Sequence, residues 1–174
     1  GFYMVFGTER FAISGAGVGL FTGVLIASVA SMNLVWGVIG DRIGHKTVLT
    51  SAAFAMALAA FVALIAPSPA VLLITFVLMG AYLAADQVSS LNIILEFCEP
   101  ADRPTYIGLT NTLLAPVLIL SPIFGGWLAT VAGYNGLFLA ALIISLIGGL
   151  MMAFWVREPR LNLSLTPAPV VQTD

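Results

Sequence analysis

Long apolar runs alternate with short polar segments along the whole chain. No Asp, Glu, Lys or Arg occurs in 11–40 or 104–156, and 47–95 contains only Asp86. A helix needs about 20 apolar residues, at 1.5 Å per residue, to cross the hydrocarbon core of a bilayer. The second and third runs are each long enough for two such helices, and each is broken by a Pro- or Gly-containing turn, "APSPA" or "AGYNG". The pattern therefore predicts an all-α polytopic membrane protein with five transmembrane helices, at about 14–40, 47–66, 70–97, 104–131 and 136–156.

Composition strengthens this prediction. Of the 174 residues, 60% are hydrophobic and 8% are charged, whereas a soluble domain has roughly 45–50% and 25%. The mean hydropathy is +1.09, so the expected partner of most of the surface is the lipid bilayer. The net charge of −2 without a basic block argues against nucleic acid as a partner. The single cysteine, Cys98, excludes an intrachain disulfide.

The basic residues are distributed unequally between the two sides of the predicted bundle. One side carries Arg42, Lys46, Arg103, Arg157 and Arg160, and the other carries only Arg10. Since Lys and Arg concentrate in cytoplasmic loops, the first side is predicted to be cytoplasmic. Residues 1–13 are then extracytoplasmic and 161–174 form a cytoplasmic tail. An odd number of helices places the chain ends on opposite sides, and we expect the chain to be a piece of a longer protein.

Polar residues inside the spans are concentrated in the first, third and fourth. The third span carries Asp86 and five uncharged polar residues, whereas the second, after its first turn, has none. Polar groups are costly in hydrocarbon, so the first, third and fourth spans are predicted to face protein or a wet cavity, and the second and fifth to face lipid. Isolated hydroxyl groups have a simpler interpretation, because they also join helices to one another.

The bend "WGVIGDRIGHK" (36–46) combines Gly37, Asp41, Arg42, Gly44 and Lys46. It resembles the cytoplasmic signature of the major facilitator superfamily, which is a glycine, three residues, and then Asp-Arg-x-Gly-basic-Lys. Here it lies, as in that family, on a short loop between two antiparallel spans. The segments "EPADRPTYIG" and "VREPR" resemble the following loop and the end of a six-helix half.

The resemblance implies a fold of twelve helices in two six-helix halves, with a solute path between them. Residues 14–160 would be helices 8–12, residues 1–13 the remnant after helix 7, and the missing N-terminal half of the same chain the main partner. The short polar tail after "VREPR" favours this placement. Helices 2–6 of an N-terminal half fit the spans equally and remain the alternative.

Each signature residue can be given a physical role, and the resemblance implies what the loop does as a whole. Asp41 can accept hydrogen bonds from the N-terminus of a facing helix or from Arg and Lys, while Arg42 and Lys46 hold the cytoplasmic face. Gly44 permits a turn at positive φ, and Gly37 would let a neighbouring backbone approach. In the family such a loop latches the halves together in one state. The simpler interpretation is that the basic residues only set the topology.

Asp86 is the charged residue furthest inside a span, and we expect it to line the path or to couple protons. At 100° per residue, polar positions of this helix from Asp86 to Glu96, including Ser89, fall within an arc of about 160°. The other candidates for the path are Gln87, Ser90, Asn92 and, on the fourth span, Asn111. A protonated, hydrogen-bonded Asp86 with a packing role is the alternative.

Small residues recur at intervals of four along the first span, at Gly15, Gly19, Gly23, Ala27 and Ser31. Such a stripe permits close packing of helices. It can face a helix of the missing half, where it would serve a rocking interface, or it can pack within this half.

The predicted function is secondary active transport of a small solute by alternating access, with protons as a candidate coupling ion. No enzyme is predicted, because the chain shows no catalytic set, and we expect no cofactor. His45, the only histidine, is alone on a loop, so no metal site is expected. A family-like receptor or assembly protein that does not transport is the alternative. The expected location is a bacterial inner (plasma) membrane.

Overall fold

The computed structural model describes residues 1–96, 98 and 100–156. This part of the chain folds into five helices and contains no strand, which confirms the all-α prediction. The helices are α1 (Phe2–Phe11), α2 (Gly15–Ile43), α3 (His45–Ile65), α4 (Pro69–Glu96) and α5 (Arg103–Phe154). The predicted tail 161–174, together with Arg157 and Arg160, lies outside the described residues.

Four of the helices, α2 to α5, are long and apolar enough to cross a membrane. With 52 residues, α5 is far longer than one crossing requires. Its helical geometry is interrupted at Gly133, where φ is 67° and ψ is −179°, a conformation that glycine adopts without steric cost. We call residues 103–132 the first limb of α5 and residues 134–154 its second limb.

Local sequence signals explain where α2 begins and ends. The hydroxyl of Ser14 caps the helix by accepting a hydrogen bond of 3.3 Å from the backbone N–H of Gly17. At the other end Gly44 has φ 117° and ψ 151°, values at which a Cβ would be strained. Because α3 begins at the next residue, a single glycine reverses the chain between two long helices.

Alanine side chains make α3 the centre of the described bundle. Five alanines are buried where α3 packs against α4 and the second limb of α5: Ala52, Ala57, Ala59, Ala60 and Ala63. Small side chains allow the helix axes to approach closely. The other face carries exposed large side chains, Phe54, Leu58, Phe61 and Ile65. The prediction that this helix faces lipid can therefore apply only to the face that carries these large exposed side chains.

The packing of α2 against α4 depends on one serine and one glycine. Ser28 Oγ donates a hydrogen bond of 2.7 Å to the carbonyl of Val77. A Cβ at Gly80 would lie 2.5 Å from the Cβ of Ser28, so only glycine permits this approach. On the other side of α4, Thr75 Oγ1 donates to the carbonyl of Ala59 in α3 at 3.3 Å.

The short helix α1 was not predicted from the sequence. It packs through aromatic rings onto the start of the second limb of α5, at the end of the bundle opposite the α2–α3 loop. Tyr3 stacks on Phe138 with ring centroids 4.8 Å apart, and Phe6 meets the same ring edge-on at 5.0 Å. These contacts complete one of the two hydrophobic cores.

The first limb of α5 meets α1 at Gly125, which is buried against the ring of Phe2, but the residues before Gly125 lie apart from this packing. Every residue from 111 to 124 is exposed, including the large side chains of Leu118, Ile119 and Phe124. Within the described part of the chain, no other element covers this stretch. Lipid or further protein must cover such an apolar surface.

Candidate functional site

The signature residues lie where α2 ends and α3 begins, but they face different surroundings. Asp41 and Arg42 are exposed on the last turn of α2, whereas Gly44 is buried. The backbone N–H of Gly44 donates to the carbonyl of Gly40 at 3.1 Å and closes the last turn of the helix. The loop therefore has a packed side and an open side.

His45 lies on the packed side. Its side chain is only 4% exposed, and its Nδ1 lies 3.1 Å from the hydroxyl oxygen of Ser89 in α4. Ser89 is completely buried. A polar pair removed from solvent is stable only when its members bond to each other, so this contact holds α3 to α4.

Lys46 connects the same loop to a third helix. Its Nζ donates a hydrogen bond of 3.0 Å to the carbonyl of Ala153, in the last turn of α5. The C-terminus of a helix carries a partial negative charge and unpaired carbonyl groups, so a cation stabilises it. We call the group formed by Gly40, Gly44, His45, Lys46 and Ser89 the loop junction.

The packing around two glycines of this region differs from the packing that the sequence predicts. The sequence predicts a close approach at Gly37, yet no neighbouring element of the described structure comes within 4 Å of a Cβ built there. The packed glycine is Gly40, because a Cβ at that position would lie 2.9 Å from Cε1 and Nδ1 of His45. The missing side chain of Gly40 is what makes room for the imidazole.

Four polar residues of α4 form a second group, outside the loop junction. Asp86, Gln87 and Asn92 are exposed. Ser90 donates a hydrogen bond to Asp86 Oδ1, and Asn92 Nδ2 donates to the carbonyl of Val88 at 2.6 Å. We call Asp86, Gln87, Ser90 and Asn92 the open face of α4. The predicted polar arc also included Ser89, which is instead buried against His45.

An amide of α2, which sequence reasoning missed, lies beside the open face. Asn33 Nδ2 donates to Gln87 Oε1 at 3.4 Å, and Asn33 Oδ1 is buried without a hydrogen-bond partner among the described residues. Asn33 and Asp86 each lie ten residues before the end of their helices, about 15 Å along the axis. That is about half the hydrocarbon thickness of 30 Å. The polarity of Asn33 within an apolar span was the signal that could have identified it.

Asn111 is not brought into this group. It lies on the first limb of α5, in an open groove that it lines with Thr112, Ala115, Pro116, Ile119 and Leu120. Between the described residues, no hydrogen bond joins Asn111 to the open face of α4.

The small-residue stripe of α2 is exposed at all five positions, Gly15, Gly19, Gly23, Ala27 and Ser31. A Cβ at any of its three glycines would have no atom of another described element within 4 Å. A groove between α2 and α4 borders it at Ala27, Ser28 and Ser31. The close contact of α2 with α4 is instead made by Ser28 and Gly80.

Four helices long and apolar enough to cross a membrane, with a charged loop between the first two of them, define a polytopic integral membrane protein. The model of the Major Facilitator Superfamily matches residues 2–170. The chain therefore belongs to the Major Facilitator Superfamily, as its signature loop suggests.

Two relatives are similar to parts of the chain. A protein of Streptomyces coelicolor named methylenomycin A resistance protein is 30% identical over 124 residues, which are 71% of this chain and 26% of the relative. The staphyloferrin B transporter of Staphylococcus aureus is 25% identical over 133 residues, 74% of this chain and 31% of the relative. The matched part of this chain thus spans less than a third of each relative. The family and the relatives' names point to a transporter rather than an enzyme.

Proposed function

We propose that this chain is the C-terminal part of a secondary active transporter that moves a small solute by alternating access. The observation that carries the proposal is the open face of α4. It presents the carboxylate of Asp86 and the amide of Gln87 nine to ten residues before the end of α4, at about mid-depth, where unpaired polar groups are costly unless they meet water, solute or protein. Among the described residues no cation pairs with Asp86, so its charge is available to a solute or a proton.

The uncovered surfaces support a second half that packs against this one. The stripe of α2 and residues 111–124 of the first limb of α5 are both exposed. A small-residue stripe suits close contact with another helix. We propose that both surfaces face the missing N-terminal half, so that the stripe serves the rocking interface and Asn111 borders the path.

We propose that the signature loop and the C-terminal tail are cytoplasmic and that the membrane is a bacterial inner (plasma) membrane. The charge distribution supports this orientation. Asp41 and Arg42 are exposed on the open side of the loop, where they can contact the other half. They form the latch that shifts the equilibrium between the inward- and outward-accessible states. A latch energy of about 1.4 kcal/mol corresponds to a tenfold shift of that equilibrium.

The placement as helices 8–12 can be tested on the gene. The matched segments amount to 26% and 31% of the relatives, which leaves room for a complete half elsewhere in a protein of their length. Sequencing the DNA upstream of the codon for Gly1 should show an open frame with about seven further apolar spans. A frame with a single preceding span and a second half downstream would support helices 2–6 instead.

The solute and its coupling are tested by flux. The full-length protein is reconstituted in vesicles with an imposed pH gradient, and methylenomycin A and staphyloferrin B, taken from the relatives' names, serve as probes. We expect accumulation of at least one probe that a protonophore abolishes. Uptake that persists with the protonophore would refute proton coupling. Binding of a probe without any flux would favour the non-transporting receptor.

A further inference from the structure

The loop junction contains a buried histidine that neither the proposed path nor the proposed latch uses. In the signature pattern the position before the final Lys is basic, and this chain has His45 there. A side chain on a helix–helix loop would ordinarily reach solvent, yet His45 is 4% exposed. Its burial therefore calls for a role inside the bundle rather than at its surface.

The imidazole contacts three helices at one point. It belongs to the first residue of α3, it fills the space left open by Gly40 of α2, and its Nδ1 lies 3.1 Å from Ser89 Oγ of α4. The ring and the hydroxyl can bond in either direction, because neutral imidazole has one donor and one acceptor nitrogen. In apolar surroundings the His45 ring and the Ser89 hydroxyl are each other's hydrogen-bond partner, so separating them is unfavourable.

This contact is about one helical turn from Asp86 on the open face of α4. Ser89 lies three residues after Asp86 and directly before Ser90, whose hydroxyl donates to the Asp86 carboxylate. A helix transmits displacement along its axis because its backbone bonds are continuous. A movement of the α2–α3 loop that carries His45 can therefore reach the turn that holds Asp86 through the contact with Ser89.

We propose that His45 is a positioning residue that makes the signature loop and α4 move as one unit, through its hydrogen bond to Ser89. The role rests on the proposed transport function, since it links the latch on the loop to the polar face on α4. His45 does not reach the open face, so it positions Asp86 and does not contact the solute.

Cys98 provides a reporter at the end of α4. Its thiol lies nine residues beyond Ser89 and donates to the carbonyl of Ile94 at 3.4 Å. In the full-length protein, with all other cysteines replaced by serine, the rate of Cys98 alkylation by N-ethylmaleimide is measured in nanodiscs. Nanodiscs expose both faces, so the rate does not depend on orientation or on a solute. All variants are compared well below their lowest melting temperature.

Four variants separate the hydrogen bond from the packing. His45→Phe keeps a planar ring without the bond, Ser89→Ala removes the partner, and the double variant removes both, whereas His45→Asn retains a polar group that can reach the serine. We expect His45→Phe and Ser89→Ala each to raise the alkylation rate about fivefold, the factor that corresponds to the free energy of one typical hydrogen bond. The double variant should match the single variants, and His45→Asn should stay within about twofold of wild type.

Other outcomes overturn the proposal. If the alkylation rate of the double variant rose by the product of the two single increases, the two residues would act independently. An equal rise in His45→Asn and His45→Phe would show that only ring packing matters, and unchanged rates would show that the contact does not hold α4.

Flux distinguishes this proposal from the proposed function. In vesicles with methylenomycin A as probe, His45→Phe should lower the uptake rate about fivefold with an unchanged half-saturating concentration. Normal uptake by His45→Phe would overturn the positioning role alone. Absence of uptake by the wild-type protein of both this probe and staphyloferrin B would overturn the transport function, and the role of His45 in transport with it.

Discussion

The loop junction and the open face of α4 both contain polar side chains in apolar surroundings, but these side chains find their hydrogen-bond partners in different places. At the junction each polar group meets a partner from another part of this chain, His45 with Ser89 and Lys46 with the carbonyl of Ala153. On the open face, within the described residues, Asp86 bonds to Ser90 of its own helix. Gln87 accepts a long hydrogen bond of 3.4 Å from Asn33 of α2 and still remains exposed. The junction is therefore complete within the described structure, whereas the open face requires something beyond it.

This difference separates architecture from function. Buried polar groups with internal partners hold helices in one arrangement, and their loss should reduce stability. Exposed polar groups at mid-depth in a membrane helix contribute little to that arrangement, and their loss should change transport instead. Substitutions at the junction should therefore lower the melting temperature and, through the position of Asp86, also the uptake rate. Substitutions on the open face should change flux and leave the melting temperature nearly unchanged.

The largest effect is expected at Asp86. Asp86→Asn should abolish uphill accumulation while leaving solute exchange and melting temperature nearly unchanged, because an amide cannot take up and release the coupling proton. One proton moving down a gradient of one pH unit supports about tenfold accumulation, and that factor should be lost. The measurement is uptake into reconstituted vesicles of the full-length protein. Asp102→Asn, which changes an exposed acid before α5, is the control, and unchanged accumulation in Asp86→Asn would refute the coupling role.

The next effect is expected in stability at Gly40. Gly40→Ala should lower the free energy of unfolding by about 1–3 kcal/mol, because its Cβ would lie 2.9 Å from the buried His45 ring. Thermal unfolding in detergent measures this change. Gly148→Ala, in the second limb of α5, is the matched control because no atom lies within 4 Å of its Cβ, and its higher helix propensity should leave stability unchanged or slightly raised. Equal melting temperatures for the two variants would contradict the packing of the loop junction.

The smallest effect is expected at Asp41 on the open side of the loop. Asp41→Asn should shift the ratio of inward- to outward-accessible protein by about two- to fivefold, because an exposed charged contact contributes at most about 1 kcal/mol. A single cysteine at Thr112, labelled from each side of the membrane with an impermeant maleimide, measures the ratio. Asp41→Glu keeps the charge and should behave like wild type. Equal ratios for Asp41→Asn and wild type would leave the loop with a topological role alone.

Much of the fold was predictable because its signals are local. The spacing of charges around apolar runs indicates the membrane helices, and Gly44 indicates the sharp turn before α3. Gly133, where the helical geometry of α5 is interrupted, lies within the predicted break "AGYNG". The helix α1 was missed because its ten residues resemble a short connection. It is stabilised by Phe138, which is more than a hundred residues away in the sequence.

The roles of individual polar residues were less predictable. Ser89 and Ser90 are neighbours on one helix, and an arc of about 160° at 100° per residue includes both, yet one is buried against His45 and the other belongs to the open face. Asn33 and Gln87 are 54 positions apart and meet across two helices. Periodicity reports the direction of a side chain from its own helix axis, but not what lies in that direction.

The sequence by itself determined that this protein lies in a membrane, that it is helical, and that it carries the family's signature loop. These properties follow from hydropathy, helix length and a short motif, which depend on residues close together in the chain. Only the tertiary structure decided that His45 is an internal contact, that Gly40 rather than Gly37 is the packed glycine, and that residues 111–124 of α5 are exposed. The physical reason is that burial and hydrogen bonding depend on neighbours brought together from distant parts of the chain, such as Lys46 and Ala153, 107 positions apart.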